Sequence, residues 1–207
     1  MTRAIWTALI AILAIAGCSG SRSHRRSASE NLPHMRAVMI GRMEAYFGDR
    51  QGLIEHTMNV LGYAERIART EGGDPLIVIA GAIYHDIGIP EARRVHGSSA
   101  GKYQEIEGPP IARRILTDIG LKSTQIERIC SIIANHHTAH DVETVATPEF
   151  RTVWDADALV NYGNRLRTGD QKQRNRIINE RFRTETGRKI AGSLAVEADT
   201  QAQAAAK

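Results

Sequence analysis

The side chains with the most chemistry in them stand at the end of an apolar run. Ala82-Ile83-Tyr84-His85-Asp86-Ile87-Gly88 places an imidazole beside a carboxylate where a buried segment stops. A desolvated carboxylate without a partner is strongly unfavourable or is driven to its neutral form. A metal ion is one partner that would satisfy both groups. Three more polar sites sit on apolar helical patterns. His56 has Leu53, Val60 and Ala64 on its own face. His136 and His137 continue the helical spacing of Ile126, Ile129, Cys130 and Ile133. In Trp154-Asp155-Ala156-Asp157-Ala158-Leu159, Asp157 shares a face with Val153 and Val160, while Asp155 shares one with Leu159, so spacing does not separate the two carboxylates. A lone histidine on an apolar face is more often an ordinary core residue. Four inward polar sites in one helical pattern are hard to read as separate accidents.

Imidazoles and carboxylates together form a mixed nitrogen and oxygen donor set, which accepts Mn, Fe, Co, Ni or Zn. An ion that keeps an open coordination position lowers the pKa of a bound water and makes it a nucleophile near neutral pH.

Helices must position these groups. Residues 33–47 read as a first helix and Gly48-Asp49 as a break; residues 51–70 form an amphipathic helix bearing His56 and ended by Gly72-Gly73. Asp74 can cap the next helix, Pro75 suits its first position, and Gly88 with Pro90 stops it near Asp86. Residues 87–106 have no clean period and read as an irregular loop, where His96, Lys102, Tyr103 and Glu105 would meet a substrate. Glu107-Gly108-Pro109-Pro110 is expected to open a helix buried through Ile111, Ile115, Leu116 and Ile119. Thr124-Gln125-Ile126-Glu127 has the form of a capping box for the helix that ends at His136-His137. Thr147-Pro148-Glu149 starts the helix carrying Asp155 and Asp157. Residues 171–189 are strongly basic and read as a peripheral helix; Arg181 or Arg183 could meet a phosphate, although a charge run is usually solvated surface. Residues 191–207 read as a disordered tail.

The order His, His-Asp, His-His, Asp resembles the HD-domain metal-dependent phosphohydrolase superfamily, from about residue 36 to the helix after Asp157, in the form of a small single-domain bacterial member. The resemblance implies an all-α bundle with a metal site at its centre. It makes His56, His85, Asp86 and Asp157 the ligands of a divalent metal, and Asp157 is chosen over Asp155 because Ala156-Asp157-Ala158-Leu159 matches the family pattern Ala-Asp-x-Leu. It implies cleavage of a phosphate ester of a nucleotide or other small phosphorylated metabolite by a metal-activated water. Glu55, Asp155 and Glu107 are candidates for the carboxylate that orients or deprotonates that water. In binuclear members an extra histidine ligand comes from the region of Glu107, which here could take that role or simply complement the helix dipole. His136 and His137 would bind a second metal or hold the phosphate. His96 and Lys102 belong to the expected substrate loop. Two other readings fit the same ligand order: a di-iron oxygenase, with a second iron on His136, His137 or Glu107, and a non-catalytic ligand-binding lipoprotein that keeps the fold. Thr138-Ala139-His140 stands where hydrolases of cyclic dinucleotides carry Gly-Tyr-Pro, and no synthetase or kinase domain of the alarmone-metabolising kind is attached.

At 207 residues the chain suits one catalytic domain, taken as residues 35–190, and with 5% aromatic residues its core must be largely aliphatic. A net charge of +4 suits an anionic substrate, but no basic-aromatic motif accompanies it, so sequence-specific nucleic-acid binding is not expected. The two cysteines, Cys18 and Cys130, imply no disulfide framework. Arg3, the apolar run from Ala4 to Ala16, and Ile15-Ala16-Gly17-Cys18 resemble a bacterial lipoprotein leader, with residues 1–18 as signal peptide, Cys18 as the lipidated residue and residues 19–34 as a flexible linker. That reading implies a membrane-anchored envelope protein. Translation from near Met35 would instead give a cytoplasmic one.

Overall fold

The structure is a computed structural model and describes residues 28–205. Within that range the order is α1 (Ala28–Phe47), α2 (Gln51–Glu71), α3 (Pro75–Tyr84), α4 (Ile89–His96), α5 (Gly101–Asp118), α6 (Ser123–Ile133), α7 (Val142–Val145), α8 (Pro148–Thr168), α9 (Gln171–Arg181) and α10 (Glu185–Ala205). No strand occurs among the described residues, so the architecture is the expected all-α bundle. The leader and Cys18 lie outside the described residues. No helix among the described residues is long and apolar enough to cross a membrane.

The bundle is built on α3. Asp74 caps it by accepting from the Leu76 N–H at 3.0 Å, Pro75 occupies its first turn, and every residue from Ile77 to Tyr84 is buried. A helix that is apolar all round needs neighbours on every side, and α1, α2, α6 and α8 all pack on it. Burying each large aliphatic side chain contributes about 1.5–3 kcal/mol, so these residues hold the centre of the molecule together. On one side Met39, Met43 and Phe47 of α1 are fully buried, and the Tyr84 hydroxyl donates to the Met39 carbonyl at 3.1 Å. Arg36 pairs with Glu65 at 2.5 Å and ties α1 to α2.

Residues 87–106 are not an irregular loop. They form α4 and the first turns of α5, separated by a break at Gly97, whose φ of 65° is left-handed. α5 therefore starts at Gly101 rather than Glu107 and runs through Pro109-Pro110. The α4–α5 pair is locked to the end of α3 by a backbone crossing: a Cβ on Gly88 would meet the Gln104 carbonyl oxygen at 2.5 Å and the Gly108 nitrogen at 2.7 Å. The cap of α6 also shifts. Its start is Ser123, and the Gln125 side chain accepts from the Lys122 N–H at 3.1 Å. The basic stretch divides at Phe182 into α9 and α10, and α10 continues to Ala205 where a disordered tail was expected.

Candidate metal centre

Four elements deliver side chains to one point. His56 comes from the second turn of α2, His85 and Asp86 from the turn that ends α3, His136 from the turn after α6, and Asp157 from α8. His56 Nε2 lies 3.3 Å from His85 Nε2, 3.4 Å from Asp86 Oδ2 and 3.1 Å from Asp157 Oδ1. His85 Nε2 lies 3.4 Å from Asp86 Oδ2 and 3.6 Å from Asp157 Oδ1. Adjacent donors bound to a single ion at about 2.1 Å stand roughly 3.0–3.5 Å apart, so His56, His85 and Asp86 fit around one cation, with Asp157 Oδ1 beside the two imidazoles. The other oxygen of Asp86, Oδ1, faces His136 Nε2 at 3.4 Å. Among the described residues, two sets of donors are close enough to hold a metal: His56, His85 and Asp86, and then Asp86, His136 and His137. Asp86 belongs to both.

The tautomers are fixed by the backbone. His85 Nδ1 lies 2.8 Å from the Ala82 carbonyl and His136 Nδ1 2.7 Å from the Ile133 carbonyl. A carbonyl only accepts, so each Nδ1 donates and each Nε2 is left with its lone pair for the centre. Asp157 Oδ1 and His136 Nε2 are buried without a hydrogen-bond partner of good geometry. Burial alone would push His85 down, yet Asp86 and Asp157 hold it well above the ordinary histidine value. Burial would push Asp86 up, yet His85 and His136 hold it well below the carboxylate range. Asp157 is likewise held low against its burial by His56 and His85. The cluster thus demands positive charge at its middle, which is where a divalent cation would sit.

The family model for the HD domain matches residues 53–179. The chain belongs to the HD-domain family. The crystal structure of a predicted HD superfamily hydrolase from an uncultured Thermotogales bacterium is similar to it at 25% identity, with a TM-score of 0.57, over 84% of this chain and 94% of that one. No curated protein matches the chain.

In this HD domain the remaining candidates separate clearly. Asp155, considered for water activation, is fully buried and turned away from the cluster. Its carboxylate accepts from the Arg183 N–H at 2.7 Å, the Thr184 N–H at 2.8 Å and the Thr184 hydroxyl at 2.6 Å, so it fastens the α9–α10 junction to α8. Glu55 is exposed on α2. Glu107 pairs with His96 at 2.9 Å, and His96 stacks on Tyr103 with ring centroids 4.2 Å apart. Lys102 lies over the same tyrosine at 4.7 Å. These groups form their own cluster at the α4–α5 corner, and the expected substrate loop is instead a packed pair of helices. His137 is exposed, with its ring against that of His136 at 4.0 Å.

A cavity of about 300 Å³ opens from the cluster, lined by His136, His137 and Asp157 at its inner end and by Asn161, Tyr162 and Arg165 further along α8. Glu55, His96, Lys102 and Glu107 are not on its wall. Two positioning residues were not recognised as such in the sequence, Asn161 not being singled out and Glu105 being read as a substrate-loop group. Asn161 donates to Asp157 Oδ2 at 2.8 Å, leaving Oδ1 for the centre. Glu105, buried in α5, accepts from the N–H groups of His137 at 2.9 Å and Thr138 at 2.8 Å and so fixes the turn that carries both histidines.

Proposed function

We propose that this HD domain is a metal-dependent phosphohydrolase acting on a nucleotide or another small phosphorylated metabolite, with His56, His85, Asp86 and Asp157 as metal ligands. The observation that carries the reading is the convergence on His56 and His85, themselves 3.3 Å apart, of one carboxylate from the end of α3 and one from α8, Asp86 and Asp157 each lying 3.1–3.6 Å from both imidazoles. A divalent ion held there would supply Lewis acidity, lowering the pKa of water and screening charge on a phosphoryl oxygen. The protein's own share is positioning. The Ala82 carbonyl orients His85, Asn161 orients Asp157, and Glu105 sets the turn from which His136 and His137 reach the cavity. The two histidines would face the phosphoryl oxygens or a second ion. With Asp155 committed to the α9–α10 junction, no side-chain carboxylate among the described residues lines the cavity besides Asp157, so proton removal from water would fall to the ligand set itself.

The test pairs elemental analysis with a phosphatase screen over nucleotides and simple phosphate esters, comparing wild type with Asp157→Ala. One metal per chain, lost in the variant together with phosphate release, is the expected result. The second oxygen of Asp86, aimed at His136, favours a second ion strongly enough to keep the di-iron oxygenase as the competing reading. Two irons without phosphate release would establish that instead, and a chain that takes up no metal would leave a ligand-binding scaffold. For location, we infer an envelope lipoprotein anchored through Cys18; wild-type protein found in the cytosol with its start near Met35 would overturn that.

A further inference from the structure

The far end of the cavity is basic, and the chemistry above makes no use of it. Asp157, Asn161 and Arg165 stand four residues apart along α8 and share one face. At a rise of 1.5 Å per residue the Arg165 backbone is about 12 Å beyond that of Asp157, and its side chain leans back toward the cavity. From the opposite side comes Arg181, the last residue of α9, whose carbonyl accepts from Trp154 Nε1 at 2.8 Å and is thereby pinned to α8. Both guanidinium groups lie over the ring of Tyr162, at 5.7 Å for Arg165 and 5.5 Å for Arg181.

This arrangement is built for a ligand of opposite charge. A guanidinium stacked on an aromatic ring covers its face and keeps its in-plane N–H groups available. Among the described residues neither Arg165 nor Arg181 has a carboxylate partner or a side-chain hydrogen bond. Both arginines are exposed where they line the cavity, so one bridging anion is attracted by both charges. The acid on the cavity wall, Asp157, sits at the inner end and is engaged by His56 and Asn161. A volume of about 300 Å³ is at the small end of ligand pockets.

We propose that Arg165 and Arg181 form an anion subsite that selects small substrates carrying a second anionic group several bonds away from the phosphate held at the metal centre. The proposal rests on the phosphohydrolase reading of that centre. A monoanionic ester would fill the inner end alone, whereas a doubly anionic one would bridge the cluster and the two arginines.

The test is calorimetric binding to the Mn-loaded full chain, with probes that cannot turn over. The probes are α,ω-alkane bisphosphonates of increasing length and the alkyl monophosphonates of matching length, whose C–P bonds resist hydrolysis. The bisphosphonates should bind at least about tenfold more tightly at a preferred spacing. That ratio should collapse in Arg165→Gln and in Arg181→Gln and be partly kept in Arg165→Lys, each variant checked for helical content by circular dichroism. Equal affinities of the two probe series, or a ratio that survives in the double glutamine variant, would overturn the subsite. Tight bisphosphonate binding by a chain that hydrolyses no phosphate ester would keep the subsite and sink the phosphohydrolase reading. Hydrolysis of monoesters with no preference for a second anion would do the reverse.

Discussion

Two aspartates separated by a single residue on α8 have opposite employment. Asp157 faces the donor cluster, whereas Asp155 holds the start of α10 through three hydrogen bonds. Asp155→Ala should therefore leave metal content intact while lowering stability by about 2–4 kcal/mol, because Arg183 and Thr184 lose buried partners; urea unfolding beside elemental analysis would measure both. Asn161→Ala should do the opposite. It leaves the core untouched but frees the Asp157 carboxylate to rotate, and metal affinity should fall roughly ten- to a hundredfold, read by competition with a chelating dye. The sequence carried part of this distinction. His56, His85 and Asp157 stand out because each interrupts an apolar helical face. Spacing could not separate Asp155 from Asp157, since what separates them is the arrival of residues 183–184 from a distant part of the chain. Glu105 was read only as a substrate-loop group for the same reason: its partners are backbone N–H groups of another turn.

Among the elements, the junction of α3 with α8 depends on Glu149. Burial would raise its pKa, but the Asp74 N–H at 2.8 Å and the Arg128 guanidinium at 2.6 Å lower it. A carboxylate with a lowered folded-state pKa contributes stability above its unfolded value of about 4.3, and that contribution disappears as pH falls through the folded value. Wild type should thus exceed Glu149→Gln in urea midpoint near about pH 6, with the gap closing near about pH 3. Element boundaries were legible where capping chemistry is local, as at Asp74-Pro75 and Thr147-Pro148. They were misread across 87–106 because the short α4 and only the first turns of α5 share that window, so neither shows a long period within it. The end of α10 was misread for lack of an apolar stripe, although its Ala, Gln and Glu residues are strong helix formers.

For the molecule as a whole, a cation at the centre would clamp α2, the end of α3 and α8 together. Mass action then adds about 2.7 kcal/mol of stability when free metal stands at about a hundred times its dissociation constant. Chelation should lower the melting temperature by about 5–10 °C for a domain of this size, and added Mn should restore it. Asp157→Ala should respond to neither treatment in differential scanning calorimetry. The helices were largely legible from apolar periods and caps, and the family resemblance supplied the bundle, but how α4 and α5 sit against the centre was not legible, since it depends on the contact between Gly88 and the backbone of α5.

His85 and His136 are oriented by carbonyls three residues earlier, at the places where α3 and α6 stop. Helix ends leave such carbonyls free, so the two imidazoles draw their orientation from the termination of the helix itself. Mutation can exchange one aliphatic residue for another inside α3 with little consequence for the imidazoles. Adding or deleting one residue there turns the helix end by about 100° and removes both imidazole and orienting carbonyl from the cluster. The evolutionary freedom of this chain is thus in what fills its helices, and its rigidity is in their length.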